Sequence, residues 1–399
     1  MQFHTGNALR SDLVLLPLDD DVVAFSEAAQ SLIGLNTGAA AIVDALRAGK
    51  PASEILSSLT SQGAAGPKQA QDWLNGVLDV LDASGFMADR PLPSRPGEDK
   101  GPTPPADMPA YEPVKAVVEQ RYRLLGTCAL IRFSDRSQAR MANSVIGHLT
   151  ADDDIEPTLV MEIGGTIYRE HQIRSYVYCD GEAAGYAARL SGLGPVVKGI
   201  MWRYSINAHR FLFYIHAGVI GARGGCVLFP AAPGSGKSSL TAAMISKGFR
   251  YFSDEVALVE TTEFDIRPMP LAFCAKRSGW DVMGRYFPEI LQAPTHRRVD
   301  GKDVRYVAPP ANLVQRTPAR VSHIIFPQYT ADAETQLAPI PRVEALRRLM
   351  DECLALRTRL NLETVQRLLD TLSGIDCYTL TFSSLDRAAE LVSDAVGGK

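Results

Sequence analysis

The residues best placed to do chemistry lie together between Cys226 and Lys247. A short apolar strand, Cys226 to Phe229, leads into a loop that reads Pro-Ala-Ala-Pro-Gly-Ser-Gly-Lys-Ser, and a helix is predicted over Ser239 to Lys247. A strand, a glycine-bearing loop and a helix in this order are the context that gives weight to a P-loop motif. The sequence therefore predicts a phosphate-binding loop, whose nucleotide-contacting residues would be Pro233, Gly234, Ser235, Gly236, Lys237, Ser238 and Ser239.

The residue types in this loop suit the phosphates of ATP. Gly234 and Gly236 permit a backbone curl whose N–H groups, with the positive end of the helix dipole, converge on phosphate oxygens. Lys237 adds a positive charge, and Ser238 places a hydroxyl where Mg²⁺ binds. The full motif has glycine where Ala231 stands, which is a modest departure. A chance turn is the alternative, and the strand and helix on either side argue against it.

Two adjacent carboxylates follow the predicted helix. Asp254 and Glu255 interrupt the aromatic and β-branched stretch from Gly248 to Val259. Carboxylates in an apolar strand are costly to desolvate unless they meet a metal, a cation or solvent. Because successive residues of a regular strand face opposite ways, one acid is expected to serve a substrate hydroxyl and the other Mg²⁺. A turn with solvated acids is the alternative.

Other polar residues carry weaker signals. His216 lies inside the apolar stretch Phe211 to Ile220, and a lone histidine in such a stretch is usually a core residue. A flexible loop is expected over Gly301 to Tyr306. Four cations in this region could clamp phosphates, although each alone is more often a surface charge: Lys276, Arg277, Lys302 and Arg305.

The order His216, then Gly234 to Ser238, then Asp254-Glu255 resembles the catalytic domain of HPr kinase/phosphorylase, and the resemblance is specific over about His209 to Val259. It implies an α/β P-loop kinase core with a mixed sheet that binds ATP and Mg²⁺. It also implies that His216 lies near the phosphates or the base, that Lys237 and Ser238 hold ATP and Mg²⁺, that Asp254 accepts the substrate proton, and that Glu255 positions Mg²⁺. The family's glycine-rich signature is absent between Met269 and Tyr286, so the resemblance extends neither to phosphorolysis nor to HPr as the target.

A proline-rich segment divides the chain. Residues 88–113 hold eight of the 25 prolines, and a segment of this composition predicts a stiff, extended linker. The N-terminal module before it is predicted to have strands at Leu13 to Leu18 and Val22 to Phe25. Three helices follow, at Ala39 to Ala48 after a cap at Asn36 or Thr37, from Ser53 through Leu59, and at Gln69 to Ala83.

The N-terminal layout resembles the PqqD-like family, or RiPP recognition element, over about Leu9 to Met87. The features that carry the resemblance are the opening hairpin, Leu35-Asn36 leading into Ala39 to Leu46, Gly49 followed by Ser53-Glu54-Ile55, and a last helix ending at Ser84-Gly85-Phe86. The resemblance implies a winged-helix-like domain that binds a leader peptide as an added strand beside the last helix. A module that only packs against the rest of the chain is the alternative.

Bulk properties narrow the setting. A net charge of -4 gives no basic surface for nucleic acid, no apolar run is long enough to span a bilayer, and the acidic N-terminal stretch does not look like a secretory signal. The six scattered cysteines suit a reducing compartment. We therefore expect a cytoplasmic protein without nucleic-acid or membrane partners. Assembly into a homo-oligomer is an alternative to a monomer.

Beyond the linker, strands are predicted at Thr127 to Phe133, Thr158 to Ile163 and Ser175 to Tyr178, with a helix at Glu182 to Leu190. Arg169, Glu170 and His171 are expected on solvated loops. Near the C-terminus, strands are expected at Ser322 to Phe326 and Tyr378 to Phe382, with helices across Val343 to Leu372 and from Asp386.

The sequence thus predicts an N-terminal peptide-recognition domain at residues 1–87, a linker at 88–113 and an ATP-binding catalytic domain at 114–399. The favoured function is transfer of the γ-phosphoryl group of ATP to a hydroxyl, on a serine or threonine of a ribosomal peptide. A small-molecule kinase and a nucleotide-gated peptide-binding protein are the alternatives, and nucleotidyl transfer also stays open.

Overall fold

A computed structural model describes residues 8–61, 66–88, 91, 108–152, 155–168 and 172–398. Its N-terminal elements are β1 (Leu13–Leu18), β2 (Asp21–Ser26), β3 (Ser31–Leu35), α1 (Thr37–Arg47), α2 (Ala52–Ser61) and α3 (Pro67–Ala83). Next come β4 (Val118–Leu124), β5 (Thr127–Phe133), α4 (Arg136–Ile146), β6 (Leu159–Tyr168), β7 (Gln172–Cys179), β8 (Glu182–Ala187) and α5 (Leu193–Asn207).

The rest of the chain alternates short strands with helices. It contains β9 (Phe211–Ile215), β10 (Ala217–Ala222), β11 (Gly225–Pro230), α6 (Lys237–Ser246), β12 (Arg250–Ser253), β13 (Ala257–Glu260), β14 (Ile266–Arg267), β15 (Phe273–Lys276), α7 (Trp280–Gly284), β16 (His296–Arg297) and β17 (Asp303–Val307). The last elements are β18 (Val321–Tyr329), β19 (Gln336–Pro339), α8 (Arg342–Asp351), β20 (Cys353–Leu356), α9 (Leu362–Ser373), β21 (Asp376–Phe382) and α10 (Leu385–Ala395). The protein is therefore a mixed α/β structure with several sheets.

The N-terminal elements follow the sequence closely, with one strand added. The predicted hairpin is β1 paired antiparallel with β2, and the Asn36 side chain caps α1 by accepting the N–H of Ala39 at 2.8 Å. The prediction of two strands was incomplete, because β3 pairs with β2 to make a three-stranded sheet. In the turn before β3, Gln30 adopts the left-handed region (φ 51°). The sequence has no glycine at this position that would have indicated the turn.

The chain divides into two compact units, and the first unit contains segments that are distant in sequence. It joins residues 1–96 with 339–351 and 359–377, so that α8 and α9 belong with the N-terminal sheet. Val343 of α8 packs directly over Gly34, and Arg342 pairs with Asp19 at 3.0 Å. The Leu360 N–H donates to the Gln30 side chain at 2.8 Å. Residues 1–87 therefore share their unit with two C-terminal helices.

Most of the predicted linker, residues 89–90 and 92–107, lies outside the described residues, as do Arg169, Glu170 and His171. The end of the linker belongs to the second unit. The Tyr178 hydroxyl donates to the Pro109 carbonyl at 2.8 Å, and the Tyr111 hydroxyl bonds to Glu162. Among the described residues, no helix combines the length and the apolar character needed to cross a bilayer.

The second unit begins with a five-stranded sheet in the order β4-β5-β6-β7-β8, covered by α4 and α5. The helix predicted at Glu182 to Leu190 is wrong, because residues 182–187 form β8, an edge strand paired with β7. Asp180 and Gly181 both have positive φ, which suits the tight turn that joins β7 to β8. Here cross-strand pairing overrides the helix propensity of three alanines.

The remaining strands form a six-stranded sheet (β12-β10-β11-β18-β21-β19), a four-stranded sheet (β14-β13-β9-β20) and a small sheet (β15-β17-β16). The predicted flexible loop at Gly301 to Tyr306 is largely wrong, because residues 303–307 form β17 between β15 and β16. The two predicted C-terminal strands and the last helix are confirmed as β18, β21 and α10, whereas β20, which pairs with β9, was not predicted.

Candidate functional site

Two strand breaks place the site residues. The apolar stretches 211–220 and 248–259, each predicted as a single strand, divide in two. β9 and β13 pair in one sheet, and β10 and β12 pair in another. His216 lies at the first break and Asp254-Glu255 at the second. The flanking pairs Ile215–Ala257 and Val219–Ser253 show that the breaks lie opposite each other. The chain therefore brings the histidine and the acids together where both strands change sheets.

The loop between β11 and α6 has the predicted glycine conformations. Gly234 has φ 100° and Gly236 has φ 87°, so both occupy the left-handed region that favours glycine. A side chain at Gly236 would also meet the Phe382 ring, 2.6 Å from the position of a Cβ atom. The Tyr329 N–H donates to the Ser235 carbonyl at 3.0 Å and fixes the loop from behind.

The open side of the loop faces solvent. Pro233 and Gly234 are exposed, and Ser235, Ser238 and Ser239 are half-buried. The first N–H groups of α6 have no acceptor within the helix, because the first turn of any helix lacks them. Ala231 adopts no positive φ, which explains why alanine is tolerated at this position. The loop thus offers several amide donors at one helix end.

Lys237 turns inward from the start of α6. Its side chain is buried, and its ammonium lies 2.7 Å from His216 Nε2 and 3.3 Å from the Ala231 carbonyl. Burial lowers the pKa of Lys237 to about 8, although Asp254, Glu352 and Glu255 oppose this shift. An ammonium in this position can form charge-assisted hydrogen bonds to a phosphate bound in the loop.

His216 is held neutral. Burial and the Lys237 ammonium lower its pKa to about 4. Since Nε2 faces the Lys237 ammonium, it accepts, and the ring proton lies on Nδ1, 3.5 Å from a carboxylate oxygen of Glu352. His216 therefore connects Lys237 to Glu352.

Asp254 is the least satisfied charge of the site. It is 6% exposed, and its Oδ1 atom has no hydrogen-bond partner. Burial raises the pKa of Asp254 to about 7, against the opposing effects of the Lys237 charge and a hydrogen bond with Ser238. A carboxyl in this state exchanges a proton readily near neutral pH.

Glu255 lies in a different environment from Asp254. Its carboxylate bonds to the Lys198 ammonium of α5, and its side chain is 43% exposed. Burial acts to raise the pKa of Glu255, but Lys198 and Arg298 outweigh it and the pKa is lowered. The structure thus brings His216, Lys237, Ser238 and Asp254 together, while Glu255 engages Lys198.

The other candidate cations divide as follows. Lys276 is half-buried and close enough to lower the pKa of His216 and Lys237. Arg277 is exposed, and Lys302 pairs with Asp300 at 3.2 Å. Arg305 stacks over the Trp280 ring at 4.0 Å and donates to the Leu291 carbonyl at 2.6 Å. Of these cations, Lys276 alone acts on the site.

The sequence analysis did not predict two residues that contact the site, Lys198 and Glu352. Lys198 could have been found, because a single lysine in the apolar helix Leu193–Asn207 requires a partner if the helix is buried. Glu352 carries no comparable signal, since it lies at an ordinary helix end and reaches His216 only through the pairing of β20 with β9.

ATP and Mg²⁺ are implied by the resemblance, and the residues fit both. The loop provides amide donors and a lysine for the phosphates, and the half-buried Ser238 hydroxyl provides an oxygen donor of the kind that a hard cation requires. Among the described residues, no group of three or more His, Cys, Asp or Glu side chains forms a metal site. Mg²⁺ does not need one, because it usually binds one or two carboxylates together with substrate phosphates and water.

Comparison with known proteins gives little to add. No family model matches the chain, and no curated protein matches it. Among solved structures, the chain is similar to TbiB1 in complex with the TbiA(beta) leader peptide, at 19% identity and a TM-score of 0.20, over 21% of this chain and 98% of that chain. The function is therefore argued from the site.

Proposed function

We propose that this protein transfers the γ-phosphoryl group of ATP to a hydroxyl. The observation that carries the proposal is the convergence of three groups at one corner: the glycine loop, the buried Lys237 and the partnerless carboxylate oxygen of Asp254. Phosphoryl transfer relies on positioning and charge stabilisation, and these groups supply both. A protein that only binds nucleotide has no need for a buried base.

The loop and α6 hold the phosphates in this proposal. Backbone N–H groups around Gly234 and Gly236 donate to phosphate oxygens, and Lys237 leaves His216 to neutralise them. Ser238 would bind Mg²⁺, with Glu255 contributing negative charge nearby. When bound, Mg²⁺ neutralises charge on the β- and γ-phosphates.

Asp254 acts as the proton acceptor. As the acceptor oxygen forms its bond to the γ-phosphorus, the β–γ bridging bond breaks, ADP departs and Asp254 takes the hydroxyl proton. Its pKa of about 7 suits this transfer near neutral pH. His216 accepts a hydrogen bond from the Lys237 ammonium and pairs with Glu352, and this chain of contacts holds Lys237 at the loop.

The acceptor is proposed to be a serine or threonine of a ribosomal peptide bound by the N-terminal module. In the described residues, β3 is an edge strand of its sheet, so a peptide strand could be added to it. On α3, Trp73 is 41% exposed and Val80 is 47% exposed, and their spacing of two helical turns puts them on one face. Such a face suits the apolar side chains of an extended peptide.

The test is intact-mass spectrometry of candidate precursor peptides incubated with the protein, ATP and Mg²⁺. A phosphate-mass gain that is lost with Lys237→Ala and Asp254→Asn supports the proposal, and Trp73→Ala should weaken it through the peptide KM. Deleting residues 1–87 is a poor control, because it would expose the faces of α8 and α9 that pack in the same unit. ATP binding without transfer to any peptide or small hydroxyl compound would contradict the proposal and favour a nucleotide-gated binder.

A further inference from the structure

One buried charge of the second unit, that of Lys198, lies outside the phosphate-binding loop. Lys198 lies on α5, whose buried face is otherwise composed of Leu193, Gly194, Val197, Ile200, Met201, Ser205 and Ile206. The side chain is 9% exposed, so its ammonium must be paired. This lysine belongs to the helix that covers the five-stranded sheet, a region whose sequence shows no catalytic pattern.

The ammonium of Lys198 reaches the acid pair. It bonds to the Glu255 carboxylate and lies 5.4 Å from the centroid of the Tyr306 ring, which provides a cation–π contact. The side-chain oxygen of Ser253 accepts the N–H groups of Glu255 and Val256 at 3.2 and 3.1 Å. The backbone that carries both acids is thus fixed at one end by Ser253 and on one side by Lys198.

Fixing Glu255 also fixes its neighbour. Asp254 and Glu255 are successive residues in a bend, and their carboxylates meet different partners, Ser238 and Lys237 in one case and Lys198 in the other. If Glu255 lost Lys198, its direct hydrogen-bond partner, only Arg298 and His216 would remain of the groups that lower its pKa, and its carboxylate could turn toward the loop. Two carboxylates would then compete for Lys237 and Ser238.

We propose that Lys198 is a positioning residue of the phosphoryl-transfer site: it holds Glu255 aside so that Asp254 alone faces Ser238 and Lys237. This inference rests on the proposed function. It also makes α5, and with it the five-stranded sheet, a working part of the site.

The test compares Lys198→Met, Lys198→Arg, Glu255→Gln and the double variant Lys198→Met/Glu255→Gln. Arg203→Met is the matched control, because it also removes a cation from α5. Arg203 is half-buried, and its guanidinium lies beside the Tyr204 ring. We expect Lys198→Met to lower kcat by about 10–100-fold, the range for residues that orient a ligand-binding group. Lys198→Arg should recover most of the loss, and the double variant should be better than Lys198→Met, because the misplaced charge is gone.

A second readout does not depend on transfer. Calorimetric titration with ATP, with and without Mg²⁺, should show that Mg²⁺ strengthens binding to the natural protein and to Lys198→Arg, and less so to Lys198→Met. Should the natural protein transfer no phosphate at all, the proposed function fails, and the Mg²⁺ effect still decides the role of Lys198. If Lys198→Met does not fold, the double variant replaces it in both measurements.

Two results would overturn the inference. One is a kcat for Lys198→Met equal to that of Arg203→Met, with an unchanged Mg²⁺ effect. The other is a kcat for Lys198→Arg as low as that of Lys198→Met in folded proteins, which would indicate packing rather than charge placement.

Discussion

The two neighbouring acids of the bend at residues 253–256 lie in different environments, and their pKa values shift in opposite directions. On the loop side, Asp254 is buried with one oxygen unpartnered, and burial raises its pKa to about 7. On the α5 side, Glu255 has a direct partner in Lys198, and its pKa is lowered. Burial with incomplete partners thus raises the pKa of one carboxyl, and a direct cation partner lowers that of the other. In the proposed reaction, this difference gives proton transfer to Asp254 and support to Glu255.

The largest expected effect separates the two acids directly. Asp254→Asn removes the proton acceptor and should lower kcat by about 10²–10⁴-fold, the usual contribution of a general base. Glu255→Gln removes supporting charge and should cost about 10–100-fold. Steady-state kinetics with a fixed acceptor would measure both losses. Equal losses would break the comparison, because they would mean that the acids act as one unit.

The two lysines should differ in stability. Lys198→Met removes the direct cation partner of Glu255 and leaves Arg298 as the remaining charge, so it should lower the free energy of unfolding by about 1–3 kcal/mol, less than for a fully buried pair because Glu255 is 43% exposed. Lys237→Met removes a buried ammonium whose pKa is already lowered to about 8, and should cost less. Urea denaturation at pH 7 measures both, with Arg203→Met as the control. A greater loss for Lys237→Met would reverse the assignment of complete and incomplete partners.

Local patterns predicted more than distant contacts. The loop, its glycine conformations, the cap at Asn36 and most strands follow from short sequence signals, and the resemblance to HPr kinase/phosphorylase implied that His216, Lys237 and Asp254 cluster. The break at His216 was not predicted, and a turn at Asp254-Glu255 was only the alternative, because a chain that changes sheets looks like one apolar strand. β8, Lys198 and Glu352 depend on partners that are distant in sequence, and no local pattern reports them.

A third prediction concerns the loop side alone, where the stability that His216 contributes should depend on pH. The pKa of His216 is about 4 in the folded protein, below its usual value of 6.5, so the folded state binds fewer protons than the unfolded state between these values. The stability that His216 contributes is therefore present above pH 6.5 and is lost as the pH falls toward 4. Asp254, whose pKa is raised, acts in the opposite direction between about pH 4 and 7.

His216→Gln isolates this effect. Relative to the natural protein, the variant should gain about 1–3 kcal/mol of unfolding free energy on going from pH 7 to pH 4.5, because it no longer has a histidine to protonate on unfolding. Denaturation at the two pH values measures the difference. A pH dependence identical in both proteins would show that His216 titrates normally and does not sense Lys237.

The smallest expected effect on kcat involves Ser253, whose hydroxyl lies at the start of the bend that carries both acids. Ser253 is 1% exposed, and its hydroxyl oxygen accepts the N–H groups of Glu255 and Val256. Ser253→Ala leaves these donors unsatisfied and should cost about 1–3 kcal/mol at most, with the Val256 N–H, which is buried, contributing more than that of Glu255. Ser246→Ala is the control, since its hydroxyl donates to a helix carbonyl that has other partners.

Because Ser253 supports the backbone of both acids, its loss should loosen them together rather than favour one. The kcat of Ser253→Ala should fall by less than that of either acid variant, and adding Lys198→Met should produce a loss greater than the product of the two single losses, because the bend would then be held at neither point. Independent losses would mean that Ser253 and Lys198 fix Glu255 separately, and that the orientation of Asp254 is set from the loop side alone.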